Sequence, residues 1–179
     1  MPADRIATRA LAAAALALLA SAPAAAVDYP VLKNGQWEMT TSASGTGAPP
    51  RKATICLDAT TQKSMIDMGV GMQKEMCTRM DMRHEGARFI TDAECKIGNS
   101  VIKSHGVMTM TGDTAYRTET AATFDPPLSK DMKESKTVIE GRYLGPCRDG
   151  MQPGDMVTET GQKINVNQMQ QQRPPPKAK

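Results

Sequence analysis

Apolar and polar positions alternate along most of the chain from residue 36 onward. The segment "QWEMTTSAS" places Trp37 and Met39 on one side, and "RKATICLD" places Ile55 and Leu57 together. A period of two is typical of half-buried strands. Five further segments alternate in the same way, namely "CTRMDMRH", "ARFITDAECKI", "SVIKSHGVMTM", "TAYRTETAATF" and "KTVIEGRYLGPC". We therefore predict a mainly β fold, with a single antiparallel sheet of six to seven strands curled into a partial barrel or sandwich.

One segment departs from the alternation and predicts a short helix after the second strand. Asp58 is a suitable N-cap for "ATTQKSMIDMG", and Gly69 is a plausible end. Four methionines fall on one helical stripe: Met65, Met68, Met72 and Met76. We interpret this stripe as a helix face that packs on the core or lines a pocket as its lid, because methionine fills irregular apolar spaces. The alternative is a Cu(I) site, since thioethers suit that soft ion.

The two ends of the chain differ in composition from the middle. Arg5 and Arg9 precede an apolar run at residues 11–20, which is too short to span a bilayer, and small residues stand at Ala24 and Ala26. This pattern predicts a signal peptide over residues 1–26, cleaved after Ala26, and a periplasmic or secreted protein. A stapled β-domain at 27–156 and a disordered, glutamine- and proline-rich tail at 157–179 would follow.

Four cysteines lie in the predicted exported part: Cys56, Cys77, Cys95 and Cys147. An even number in an exported chain predicts two disulfides, and no C-x-x-C pair favours zinc. Side chains alternate along a strand, which places Cys56 and Cys77 on the outer face and the other two inward. We therefore expect Cys56–Cys77 and Cys95–Cys147. The alternative, Cys77–Cys95 across a hairpin, would require a β-bulge.

Charge and motifs narrow the functional classes. The formal net charge is +3 and only one Trp, three Tyr and two Phe are present, so a nucleic-acid partner is not expected. The motifs of hydrolases, metalloproteases and nucleotide-binding enzymes are missing from the sequence. His84 and His105 are best explained as surface residues. We predict a protein that is not an enzyme, with no cofactor and no metal.

Several segments recur in the order of a known family. These are "NGQWEMT", "ATICLD", "CTRMDM", the cysteine of "DAECKI", "GVMTMTGDTAY" and "EGRYLGPC". The chain resembles the exported bacterial family of domain of unknown function 3617 over roughly residues 33–155. The resemblance implies an exported, disulfide-containing, β-rich domain without an established activity, and it carries over no catalytic or ligand-binding residue.

Binding is the function that this architecture favours. A curled sheet under a methionine-rich helix could hold a hydrophobic small molecule. The first alternative is a module that interacts with another envelope protein, and the less favoured one is a methionine-rich Cu(I)-binding protein.

Overall fold

The computed structural model describes residues 29–44, 47–130 and 132–172, and its elements confirm a mainly β fold. The predicted signal peptide at residues 1–26 lies outside the described residues. The elements in these ranges, in chain order, are β1 (Gly35–Ala43), β2 (Arg51–Leu57), α1 (Ala59–Met76), β3 (Cys77–Glu85), β4 (Arg88–Ile97), β5 (Ser100–Thr111), β6 (Ala115–Asp125), β7 (Glu134–Gly145), β8 (Asp155–Thr158), β9 (Lys163–Asn165) and α2 (Val166–Gln171).

The strands in the described ranges form one antiparallel sheet that is not closed into a barrel. The strand order is β3-β4-β5-β6-β7-β1-β2-β8-β9. The predicted single sheet is confirmed, but it has nine strands in place of six or seven. The two extra strands, β8 and β9, lie in and beside the segment whose polar composition predicted disorder.

The alternation of side chains gives the sheet two different faces. On the inner face Trp37 pairs with Ile55 of β2 and Tyr143 of β7. On the outer face Arg142 forms an ion pair with Glu38 at 3.0 Å, and both side chains reach solvent. Such exposed pairs contribute little to stability each. The apolar inner face is therefore the side on which the core and α1 are found.

Helix α1 crosses the inner face from one part of the sheet to its far edge. It follows β2 and leads into β3, which lie six strand positions apart. Six spacings of about 4.8 Å give about 29 Å, and 18 helical residues at about 1.5 Å each give about 27 Å. A helix of this length is therefore needed to reach β3.

The start of α1 agrees with the sequence prediction, and its end does not. Asp58 is the N-cap, because its carboxylate accepts a hydrogen bond from the Thr61 N–H at 2.7 Å. The predicted end at Gly69 was wrong, since the helix runs through Gly69 and Gly71 to Met76. Each glycine costs the helix about 1 kcal/mol relative to alanine. The helix nevertheless continues through both, because it has to cross the sheet to reach β3.

The predicted pairing of Cys77 was wrong, because Cys77 bonds to Cys95 of β4. The register of β3 and β4 shifts between Cys77 and Arg79, so that Cys77 lies opposite Cys95 while Arg79 lies opposite Glu94. This irregularity moves the Cys77 side chain to the inner side on which Cys95 stands. The alternative that requires a bulge is thus the correct one.

The second disulfide joins Cys56 to Cys147, which corrects the predicted Cys56–Cys77 and Cys95–Cys147 pairs together. Cys56 lies on the side opposite Ile55, as the alternation predicts, but it is only 1 % exposed. Strand β7 ends at Gly145, whose φ of 132° favours glycine. The alternation along β7 therefore does not extend to Cys147, and this cysteine covers Cys56 on the outer side.

The C-terminal segment is ordered through residue 172, so the prediction of disorder from Val157 was wrong for that part. Residues 173–179 lie outside the described residues. Asp155 anchors the segment through Lys163 at 2.7 Å, the Gln152 N–H at 2.8 Å and Asn165 Nδ2 at 2.9 Å. These bonds, with Lys163 contributing most, hold the pKa of Asp155 at about 2, against an ordinary 3.8.

The core lies between the inner face, α1 and the C-terminal segment. Trp37, Ile55, Leu57 and Val166 form its buried centre. Val166 is the first residue of α2, which packs against α1. A single apolar side chain from the polar C-terminal segment therefore helps to close the core.

Candidate functional site

A cavity of about 310 Å³ lies between the inner face of the sheet and the first half of α1. Its volume is at the lower end of the range for small-molecule sites, roughly 300–1,000 Å³. The sheet, the helix and the segment before β1 all contribute to its wall. The lining residues are Tyr29, Pro30, Leu32, Trp37, Met39, Ile55, Leu57, Gln62, Met65, Ile66, Met108, Tyr116, Thr118 and Ile139.

The cavity extends across five adjacent strands. Ile55 lies on β2 and Met108 on β5, and strands β1, β7 and β6 lie between them. Four strand spacings of about 4.8 Å correspond to roughly 19 Å along the sheet. The cavity is therefore elongated across the strands, beneath the N-terminal half of the helix.

A small residue on β7 lets an aromatic ring lie flat on the floor of the cavity. The Tyr116 ring covers Gly141, and a methyl group at Gly141 would overlap that ring. The ring centroid of Tyr116 is 5.9 Å from that of Trp37, with the planes tilted by 33°. The indole Nε1 of Trp37 donates to the Lys33 carbonyl at 2.8 Å, so its polar atom is satisfied away from the cavity.

The segment before β1 closes one side of the cavity and is fixed to α1. The Gln62 Oε1 accepts from the Leu32 N–H at 2.9 Å, and its Nε2 donates to the Leu32 carbonyl at 2.9 Å. Lys33 N–H also donates to the Asp113 carbonyl at 3.0 Å. Because both ends of the Gln62 amide are bound to backbone, this residue holds the wall in place.

The polar atoms that face the cavity are few and uncharged. None of the described lining residues carries an ionisable acid or base of the Asp, Glu, Lys, Arg or His type. Burial raises the pKa of the Tyr116 hydroxyl, which keeps it protonated and able to donate a hydrogen bond. Such a lining is suited to contact with an apolar molecule.

The structure uses one of the four predicted stripe methionines in the cavity. Met65 lines it, Met68 and Met76 are half-buried, and Met72 is 39 % exposed. The face of α1 turned to the cavity is Gln62, Met65 and Ile66, which are spaced i, i+3 and i+4. The same spacing is present in the sequence, but the methionine stripe indicated a different face of the helix.

The two disulfides bracket the helix that covers the cavity. Cys56 stands two residues before the Asp58 N-cap, and Cys77 is the C-cap residue of α1. Cys56 ties the start of the helix to the end of β7, and Cys77 ties its end to β4. The predicted Cys56–Cys77 bond would have joined the two ends of the helix to each other. The structure instead has one disulfide at each end, which ties the helix to the sheet.

Both histidines stand apart from the cavity. His105 Nδ1 lies 2.6 Å from Asp92 Oδ1 on the outer face, where Arg83 binds the other carboxylate oxygen at 2.6 Å. His84 stacks on Phe89 with ring centroids 4.4 Å apart. The bond from His105, then that from Arg83, lowers the pKa of Asp92. Across the described ranges, no three His, Cys, Asp or Glu side chains gather as a metal site.

Comparison with known protein families gives one match. The family model described as "Protein of unknown function (DUF3617)" matches residues 32–147, which is well over half of the chain. The chain belongs to the DUF3617 family. The matched span contains all four cysteines and every cavity-lining residue except Tyr29 and Pro30. It ends before β8, so β8, β9 and α2 lie beyond the DUF3617 match. No curated protein and no solved structure matches the chain.

Two structural observations bear on where the DUF3617 domain works. Disulfides persist in oxidising compartments, so the two in this domain indicate a location outside the cytoplasm. Neither of the two described helices is long and apolar enough to cross a membrane.

Proposed function

We propose that this protein is an exported, non-catalytic binding module that holds a hydrophobic small molecule beneath α1. The observation that supports the proposal most is the apolar cavity of about 310 Å³ between that helix and the sheet. A cavity lined by Trp37, Ile55 and Met65 gains free energy when apolar surface leaves water, at about 25 cal/mol per Å². A ligand that buries about 250 Å² would gain about 6 kcal/mol by that estimate, and the loss of translational and rotational freedom on association reduces this gain.

The single tryptophan provides a direct assay for the cavity. Trp37 is the one tryptophan of the chain and lines the cavity. A brominated alkyl probe quenches indole fluorescence only at close range, so titration with 10-bromodecanol should quench Trp37 in a saturable way.

Two variants of β7 separate cavity binding from unspecific adsorption. Ile139→Phe adds volume inside the cavity and should weaken probe binding at least tenfold. Val138→Phe adds the same kind of ring on the opposite face of the same strand and should leave binding unchanged. Equal quenching in both variants and the parent protein would contradict the proposal.

Export is the second part of the proposal. It is supported by the two disulfides and by the N-terminal pattern that predicts cleavage after Ala26. N-terminal sequencing of the protein from a cell fraction should give Val27 as the first residue, and the protein should be recovered outside the cytoplasm. A protein that retains Met1 in the cytoplasm would contradict it.

A further inference from the structure

Two hydroxyl groups face the cavity without a partner. Tyr116 and Thr118 lie two residues apart on β6 and line the same space. Within the part of the chain that the structure describes, neither hydroxyl forms a hydrogen bond with another residue. Both hydroxyl oxygens are accessible at the cavity surface, so a molecule that covers them has to supply an acceptor in place of water.

The position of Tyr116 brings its hydroxyl over the middle of the cavity. The ring carbons Cδ1, Cε1 and Cζ lie against Gly141 of β7, the strand between β6 and β1. Cζ bears the hydroxyl, so the donor is carried from β6 across β7 toward Trp37, whose ring is 5.9 Å away. A ligand lying across the strands would pass this donor.

The volume and the lack of charge limit what the ligand can be. A cavity of about 310 Å³ is at the lower end of the range for small-molecule sites, roughly 300–1,000 Å³, which favours a small ligand over a two-chain lipid. The lining strands span roughly 19 Å, so an extended chain of about ten carbons fits between them better than a compact ring system. A carboxylate or an ammonium group inside the cavity would lose hydration without gaining an opposite charge.

We propose that the ligand is a single alkyl chain of about ten carbons with one uncharged hydrogen-bond acceptor, an ester or ketone carbonyl, that accepts from the Tyr116 hydroxyl. This inference rests on the proposed binding function and names the chemical class of the ligand. Thr118 lies about 7 Å along β6 from Tyr116, so it contacts the chain beside the carbonyl group.

The test compares four probes with chains of equal length on the full protein. Methyl decanoate, decane, decanoate and decylammonium are titrated below their aggregation limits, and Trp37 fluorescence is followed. Methyl decanoate should bind at least tenfold more tightly than either charged probe. Tyr116→Phe should weaken methyl decanoate about tenfold and leave decane unchanged.

Tyr143→Phe is the matched control, because Tyr143 also lies 5.9 Å from Trp37 but does not line the cavity. It should leave the affinity for all four probes unchanged. The infrared band of the bound ester carbonyl provides an independent readout. It should lie at lower wavenumber in the parent protein than in Tyr116→Phe.

The outcomes distinguish a wrong ligand class from a wrong binding function. Equal binding of decanoate and methyl decanoate, or an unchanged ester affinity in Tyr116→Phe, would overturn the ligand class while binding itself stands. A larger loss in Thr118→Val than in Tyr116→Phe would overturn the choice of donor. Binding of a two-chain phospholipid but of none of the single chains would also overturn the class. If no apolar probe reaches Trp37, the proposed function fails together with the inference.

Discussion

Removing the disulfide Cys56–Cys147 should destabilise the domain more than removing Cys77–Cys95, because it closes the longer loop. The two bonds span 91 and 18 residues. In the chain-entropy account, loops of these lengths correspond to about 4.6 and about 3.2 kcal/mol at 25 °C. The perturbations are the double variants C56A/C147A and C77A/C95A. Alanine is used in place of serine, because serine would bury a hydroxyl group at position 56.

Urea unfolding at equilibrium measures the free energies, and hydrogen exchange shows where the loss occurs. In C77A/C95A we expect faster exchange at residues 70–76, the end of α1 that this bond ties to β4. Exchange at residues 61–66 should change less, because the Asp58 cap and the Gln62–Leu32 bonds remain.

Three results would contradict the predicted order of the two losses or the connectivity behind it. The first is an equal loss of stability in both double variants, and the second is a larger loss in C77A/C95A. The third is non-reducing peptide mapping that joins Cys56 to Cys77, which would overturn the connectivity itself.

Four further predictions concern single residues. Gly141→Ala should destabilise the domain by about 1–3 kcal/mol, because the methyl group would overlap the Tyr116 ring. Gly69→Ala should stabilise it by about 0.5–1 kcal/mol, because no atom lies within 4 Å of the added methyl group. Urea unfolding should therefore give changes in the free energy of unfolding of opposite sign. Asp58→Ala should cost about 1 kcal/mol in the same assay through the lost N-cap, and an unchanged stability would contradict the cap. Asp155, with a pKa of about 2 in the folded state against 3.8, stabilises the fold above pH 4; that contribution, about 2 kcal/mol, should disappear between pH 4 and pH 2 and be missing from Asp155→Asn at every pH.

The parts of the fold that depend on local alternation could be predicted from the sequence. Trp37 and Ile55 share the inner face, and Asp58 caps the helix, as the pattern indicates. The end of α1 could not be predicted, because Gly69 and Gly71 are poor helix residues. What extends the helix is the distance between β2 and β3, a property of the whole sheet.

The disulfides and the C-terminal segment show the same limit. Parity along a strand assumes an unbroken register, and the irregularity after Cys77 breaks it where the pairing is decided. The polar C-terminal segment contains few apolar residues, yet Val166 reaches the core. The hydrogen bonds and the ion pair around Asp155 join β8 to β9, the two strands before Val166. The core contacts of Val166 join residues that are far apart in the chain, and the Asp155 network depends on how its side chains are placed, so composition reveals neither.

The candidate site was predictable in kind but not in detail. A helix over a curled sheet indicated an apolar space, and Met65 was among the residues expected to line it. The methionine stripe pointed to Met68, Met72 and Met76 as well, whereas the helix turns the Gln62–Ile66 side inward. The orientation of the helix depends on its attachments to Leu32 and to the two disulfides, which the stripe does not encode.

Native mass spectrometry of gently purified protein tests the binding function most directly. We predict a subpopulation heavier than the polypeptide by one small apolar molecule, because a cavity of about 310 Å³ is at the lower end of the range for small-molecule sites. The extra mass should be retained in Val138→Phe and lost in Ile139→Phe. If all three proteins carry only the polypeptide mass, and if 10-bromodecanol fails to quench Trp37 when added afterwards, the cavity is not a binding site.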